Sequence, residues 1–178
     1  DAADGHAFAA AIREEIGAGA DGVVLALSGS LHPLGGRSSA VDNSVISTAL
    51  KAVNAGETRL MLDAGRESTP IAASLFAGKV FRGIIPILMW DPLVAVAFNR
   101  TEAGDIPGLV SGSVDLSAVL DGQGLEGRVV CADGRLWHAA GASEVQELAA
   151  TLATFVALLR LFETGGVALD SAAARIAV

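Results

Sequence analysis

Apolar residues fall along this chain in two alternating rhythms. Short uninterrupted runs of strand length lie at residues 22–27 (GVVLAL), 58–62 (TRLML), 84–89 (IIPILM) and 128–132 (RVVCA), and stripes at helical spacing separate them. Phe8, Ala11, Ile12, Glu15 and Ile16 form the first stripe, with Asp4 as its N-cap and Gly17 or Gly19 as its stop. Val45, Ile46, Ala49, Leu50 and Val53 form a second, capped by Asp42 and stopped by Gly56. A third opens at Ser68 or Thr69 with Pro70 in its first turn, buries Ile71, Leu75 and Phe76, and stops at Gly78. Asp91-Pro92 ends the third strand, in which Pro86 costs a ladder bond, and residues 93–98 start a fourth helix. Residues 99–113 are turn-rich, and 114–120 form a short helical piece. The longest stripe runs from Ser143 to Thr164, and Ser143 and Gln146 are spaced as a capping box. Its expected buried face is Val145, Leu148, Ala149, Leu152, Phe155, Val156, Leu159 and Phe162. Gly165-Gly166 terminates it, and Asp170 caps a last helix that continues to the end of the chain.

Uniformly apolar strands between amphipathic helices imply a parallel sheet covered by helices. Two architectures satisfy this: an open doubly wound sheet, or part of a (β/α)8 barrel. A dinucleotide-binding open sheet carries G-x-G-x-x-G after its first strand. Here Ser28-Gly29-Ser30-Leu31-His32-Pro33 follows, without that spacing.

Composition narrows the function classes. The length of 178 residues fits one domain with a real core. Hydrophobic residues make up 52% and aromatics 4%, with no Tyr, so the core is built from Ala, Val, Leu and Ile. Net charge is −8 with no Lys/Arg cluster, which argues against nucleic acid as a partner. The longest apolar run, residues 83–90, is far short of the roughly 20 residues of a membrane span, so no membrane partner is expected. No signal-peptide pattern opens the chain, and Cys131 is the sole cysteine. A reducing, cytoplasmic location is the expectation.

Few residues offer chemistry. Asp63, Asp91 and Asp133 each follow a predicted strand closely. On one barrel face they would converge as metal ligands or acid/base groups; Asp63-Ala64-Gly65, Asp91-Pro92 and Asp133-Gly134 also have the chemistry of turns and caps. With His138 as general base, the three carboxylates would make a self-sufficient metal-dependent lyase or aldolase. Lys51 and Lys79, the only lysines, fall on or beside helices, which disfavours a Schiff base. Asp4-Gly5-His6-Ala7-Phe8-Ala9 approaches the D-x-H-x-x-G signature of cobalamin ligation, but Ala9 replaces its Gly and no strand precedes it. Gly35-Gly36-Arg37 suits either an anion loop or a plain surface loop, and His32 beside it has no second ligand for zinc.

The most specific stretch is Leu136-Trp137-His138-Ala139-Ala140-Gly141-Ala142-Ser143, continuing through Gln146-Glu147-Leu148-Ala149. It places an aromatic-His pair at a predicted strand end, then a small-residue turn, then the capped helix. This pattern resembles the fifth strand–helix junction of the methylmalonyl-CoA mutase family, and most closely its small, β-type subunit. The resemblance covers most of the chain, weakly before Gly56 and strongly after Leu125. It implies a parallel (β/α)8 TIM-type barrel, incomplete in this chain, with residues 1–178 as a single partial barrel domain. It implies a non-catalytic subunit paired as a heterodimer with a large catalytic subunit. That subunit would interconvert methylmalonyl-CoA and succinyl-CoA by radical rearrangement. Adenosylcobalamin and acyl-CoA would be bound by the large subunit and not by this chain. Large-subunit junctions carry a Tyr where this chain has Trp137 and have longer spacing after the His, so His138 is expected to be a vestigial catalytic position.

Overall fold

In the computed structural model, residues 5–27, 29–30, 46–47, 50, 58–78, 84–98 and 105–178 are described. The chain forms two compact units, residues 1–87 and 88–178.

The first unit opens with α1 (Gly5–Gly17), followed by β1 (Gly22–Ala26) and β2 (Thr58–Asp63). A 3-10 turn (Gly65–Glu67), α2 (Ser68–Ala77) and β3 (Ile84–Leu88) follow, the last residue of β3 falling in the second unit. The three strands make a sheet in the order β1-β2-β3. Val23 and Leu25 of β1 lie in parallel register with Leu60 and Leu62 of β2. Ile12, Leu25, Leu60, Leu62 and Leu75 are buried around this sheet. The loops after β1 and β2 meet backbone to backbone. Gly29 and Gly65 have φ of 98° and 56°, and a Cβ on Gly65 would overlap the Gly29 carbonyl oxygen. The expected caps of α2 do other work. Ser68 is the first helical residue, and its hydroxyl accepts from the Ala64 N–H at 3.0 Å, fixing the turn out of β2. The helix predicted from Asp42 to Val53 lies largely outside the described residues; Ile46 and Leu50, which are described, are buried.

The second unit contains α3 (Pro92–Ala97), α4 (Ile106–Gln123), β4 (Val130–Cys131), α5 (Arg135–Ala139), α6 (Glu144–Thr164), α7 (Leu169–Arg175) and β5 (Ile176–Ala177). β4 and β5 pair in parallel, Val130 with Ile176 and Cys131 with Ala177. The Leu88 N–H donates to the Arg128 carbonyl, and the Cys131 N–H to that of Trp90, so residues 88–90 run beside β4. Arg175 anchors β5. Its buried guanidinium donates to Asp121 Oδ1 and to the Gly127 carbonyl, while Ser171 Oγ donates to Asp121 Oδ2. The Arg175 and Ser171 hydrogen bonds hold the Asp121 carboxyl below its ordinary range.

The barrel expectation is corrected. Among the described residues the strands form two small parallel sheets, of three and two strands, with no closure into a ring. Closure requires every strand to be a full-length stave bonded on both sides. β4 and β5 are two residues each, because Gly127 and Asp133-Gly134 bound the first and α7 runs directly into the second. Apolar runs predict parallel strands equally well in open and closed sheets, so periodicity had no means of separating the two. Three local expectations also change. Residues 106–123 are one continuous helix, capped by Asp105 with Pro107 in its first turn. The chain ends in β5 rather than in a helix. Trp137 and His138 lie on the short helix α5, not at a strand end.

α6 forms where predicted, with the reciprocal Ser143–Gln146 capping box in place. Its buried face is different. Thr151, Thr154, Leu158 and Phe162 pack inward, toward α4, α5, α7 and β5. Val145, Leu148, Leu152 and Val156, expected in the core, are 77%, 60%, 51% and 43% exposed. The helix is apolar nearly all round, so periodicity fixed its existence but not its rotation. By length and composition alone it would also cross a membrane, which the shorter run at residues 83–90 had concealed.

Ser143→Ala should cost about 1 kcal/mol of stability through the lost cap. Leu158→Ala should cost about 2–5 kcal/mol as a buried truncation. Leu152→Ala, on the exposed face, should stay within about 0.5 kcal/mol. Urea midpoints of the three variants check this order, and equal effects at Leu152 and Leu158 would reverse the assigned faces.

Candidate functional site

The side chains with chemical potential gather in the second unit, after β4. Asp91 is fully buried. Its Oδ1 accepts the Leu93 and Val94 N–H groups at 2.9 Å each, capping α3. Its Oδ2 accepts the Asp133 N–H at 2.8 Å. Burial pushes the Asp91 carboxyl up to about 6, against the pull of its three N–H donors. Asp133 is also buried, and its carboxylate grips Arg135 through the backbone N–H and a two-point guanidinium contact at 2.6–3.0 Å. That clamp starts α5, which carries Trp137 and His138. Trp137 meets Phe98 edge to face at 5.1 Å between centroids. Among the described residues its buried Nε1 has no hydrogen-bond partner.

The His138 side chain is 75% exposed, and its Nδ1 lies 3.0 Å from Glu147 Oε2 on α6. With Nδ1–H donating to the carboxylate, Nε2 is left as the accepting nitrogen. Gly134 makes this approach possible, since a Cβ there would stand 2.9 Å from Glu147 Oε1 and 3.0 Å from Thr151 Oγ1. Beside the pair, at the carboxyl ends of β4 and β5, lies an open pocket of about 360 Å³. It is lined by Ala132, Gly134, Glu144, Glu147, Leu148, Thr151 and Val178. Ligands favour this end of parallel strands.

The predicted site residues take different local roles. Asp91 and Asp133 come together, but as a cap and a clamp whose oxygens are committed to backbone and guanidinium. Asp63 is buried in the first unit, where its carbonyl accepts the Leu27 N–H. Among the described residues no group of three or more His, Cys, Asp or Glu side chains that could hold a metal ion is found. His138 faces solvent with one carboxylate partner, and neither Asp91 nor Asp133 is bonded to it. Glu147 and Gly134 are the residues that the sequence left without a role. Glu147 stood in the quoted Gln146-Glu147-Leu148-Ala149 segment, but only the helical turn of α5 brings His138 back toward it. His6 falls in the first turn of α1, and Ala9 stands where the cobalamin signature has its final Gly, so this segment departs from that signature.

No protein-family model matches the chain, and no curated protein matches it.

The Asp91 carboxyl has a testable consequence. Its folded value, about 6, lies above the ordinary 3.8, so the folded chain binds this proton more tightly than the unfolded chain. The associated stability is complete below pH ~4 and is lost as pH rises through ~6, on the order of 3 kcal/mol. Asp91→Asn keeps an acceptor for α3 and removes the titration. The difference in urea stability between wild type and Asp91→Asn should shift in favour of the variant from pH 4 to 7. A pH-independent difference would contradict the buried carboxyl's role.

Proposed function

We propose that this chain is the small, non-catalytic subunit of an adenosylcobalamin-dependent acyl-CoA mutase of the methylmalonyl-CoA type. It would support a large subunit that binds cofactor and acyl-CoA and performs the radical rearrangement. The observation that carries this reading is the state of the junction at residues 136–149. The Trp137-His138 pair, the Ala-Gly-Ala turn and the capped helix follow in the order that the resemblance requires. His138, however, is solvent-exposed and tied to Glu147 on the helix behind it. A histidine held this way in water offers little stabilisation to a developing charge, because such stabilisation depends on a water-excluded setting. No other acid or base is bonded to it. Adenosylcobalamin, where it is bound, supplies the radical by homolysis. The part left to this chain is to hold its own fold and an interface.

The test is reconstitution with a large catalytic subunit. The chain alone should show no mutase turnover and retain no adenosylcobalamin on gel filtration. In the reconstituted pair, His138→Ala should leave kcat nearly unchanged. A fall on the order of 10²-fold or more would make His138 a catalytic group and end the small-subunit reading.

A further inference from the structure

We propose that the pocket at the carboxyl ends of β4 and β5 binds a primary ammonium group carried on a short aliphatic stem. The inference does not depend on the mutase reading. Glu144, Glu147, Leu148 and Thr151 are spaced i, i+3, i+4 and i+7, so one side of α6 brings all four to the pocket. At about 360 Å³ the pocket falls within the size range of small-molecule sites. Thr151 is the side chain in it without an occupation. It is only 8% exposed, and its hydroxyl makes no hydrogen bond among the described residues. Helical threonines often donate to the carbonyl four residues back, as Thr164 does to Arg160. Thr151 Oγ1 instead stands beside the bare Cα of Gly134, where a Cβ would lie 3.0 Å from it, and both residues line the pocket. A hydroxyl so far removed from water costs free energy until a partner reaches it.

The charge around this hydroxyl selects the ligand. His138 Nδ1 occupies Glu147 Oε2. Glu147 Oε1 faces the same Gly134, 2.9 Å from where a Cβ would stand, and accepts no hydrogen bond among the described residues. Glu144 adds a second, exposed carboxylate. No cationic side chain lines the pocket, and the guanidinium of Arg135 is held by Asp133. An anion would therefore meet two carboxylates and no balancing charge. The positive end of the α6 dipole, about half a charge, opposes a cation, but two full carboxylates outweigh it. A bare metal ion lacks its ligand set, since no group of three such side chains is found among the described residues. An ammonium carries three donors and no acceptor. Those donors answer to Glu147 Oε1, the Glu144 carboxylate and Thr151 Oγ1, and bonds from a cation to a carboxylate are the stronger kind. Ala132, Leu148 and Val178 offer apolar surface to the stem.

The probe is n-butylamine, titrated into the purified chain near neutral pH at constant ionic strength and followed by methyl NMR. It should bind saturably with a Kd of about 1–10 mM, as suits so small a ligand, and move the methyls of Ala132, Leu148 and Thr151. Butyrate and n-butanol, with the same stem and no positive charge, should not saturate. Glu147→Gln should weaken the amine about tenfold or more, and the near-isosteric Thr151→Val about fivefold. Glu163→Gln, the same loss of charge elsewhere on α6, should leave the affinity unchanged. Shifts that stay linear to ~100 mM, butyrate or n-butanol binding as well as the amine, or full affinity in Glu147→Gln or in Thr151→Val overturns the proposal. Should Glu147→Gln fail to fold by circular dichroism, Glu144→Gln and Thr151→Val decide by the same measure. A second arm separates the sources of the ammonium. Nα-acetyl-lysine methylamide binding as tightly as n-butylamine assigns the site to a lysine side chain of a protein, and its exclusion assigns it to a free amine.

Discussion

The second unit hangs on the carboxylate of Asp91. It is buried, and each of its oxygens is occupied by backbone: Oδ1 holds the first turn of α3, and Oδ2 holds the N–H of Asp133 beyond β4. That second bond fixes where the chain leaves the sheet. Asp133 then clamps Arg135, α5 begins, and its one turn returns His138 to Glu147 on α6. The series joins α3, α5 and α6 to one strand end, and its bond between Asp91 and Asp133 spans 42 positions of sequence. Burying a carboxylate is costly unless donors surround it. Here three N–H groups do so, and the carboxyl still sits well above its ordinary value. The junction at residues 136–149 is thus positioned by a group with no exposed atom for substrate.

The same geometry leaves Asp91 and Asp133 poorly suited as metal ligands. A ligand carboxylate needs lone pairs directed at a shared point. Asp91 spends its lone pairs on N–H groups, and Asp133 spends its own on Arg135. The turn chemistry of Asp91-Pro92 and Asp133-Gly134 was visible in the sequence, and it described these residues better than their position after strands did. His138 has an accessible nitrogen, but its partner Glu147 is an orienting group at a solvated surface.

Much of the local structure was legible. The capping box at Ser143 and Gln146, the parallel β1–β2 pair and the glycine stops of α1 and α2 follow from side-chain chemistry or spacing within a few residues. What was not legible depends on neighbours distant in sequence. β4 was legible as the apolar run at 128–132, but β5 was not, since it forms by pairing with β4 and no periodicity is readable in two residues. The helix at 106–123 was obscured by Gly108, Gly112 and its serines, which weaken propensity while Asp105 and the packing of Val110, Leu116 and Leu120 sustain it. Trp137-His138 looked like a strand end because an aromatic after an apolar run has high strand propensity. The Asp133–Arg135 clamp turns it into a helix.

The rotation of α6 is the most consequential of these differences. A helix with Ala and Leu on nearly every side has more than one face that can be buried, and its own unit selects the one bearing Thr151 and Thr154. Their small side chains admit close approach, as Gly134 does against Thr151 Oγ1. Large residues at positions 151 and 154 would force the first half of the helix outward and separate Glu147 from His138. Close packing behind α6 and apolar residues in front of it are therefore one arrangement: the face chosen for fit to the unit leaves a second apolar face exposed. That same wide apolar surface hid the helix's orientation in the sequence.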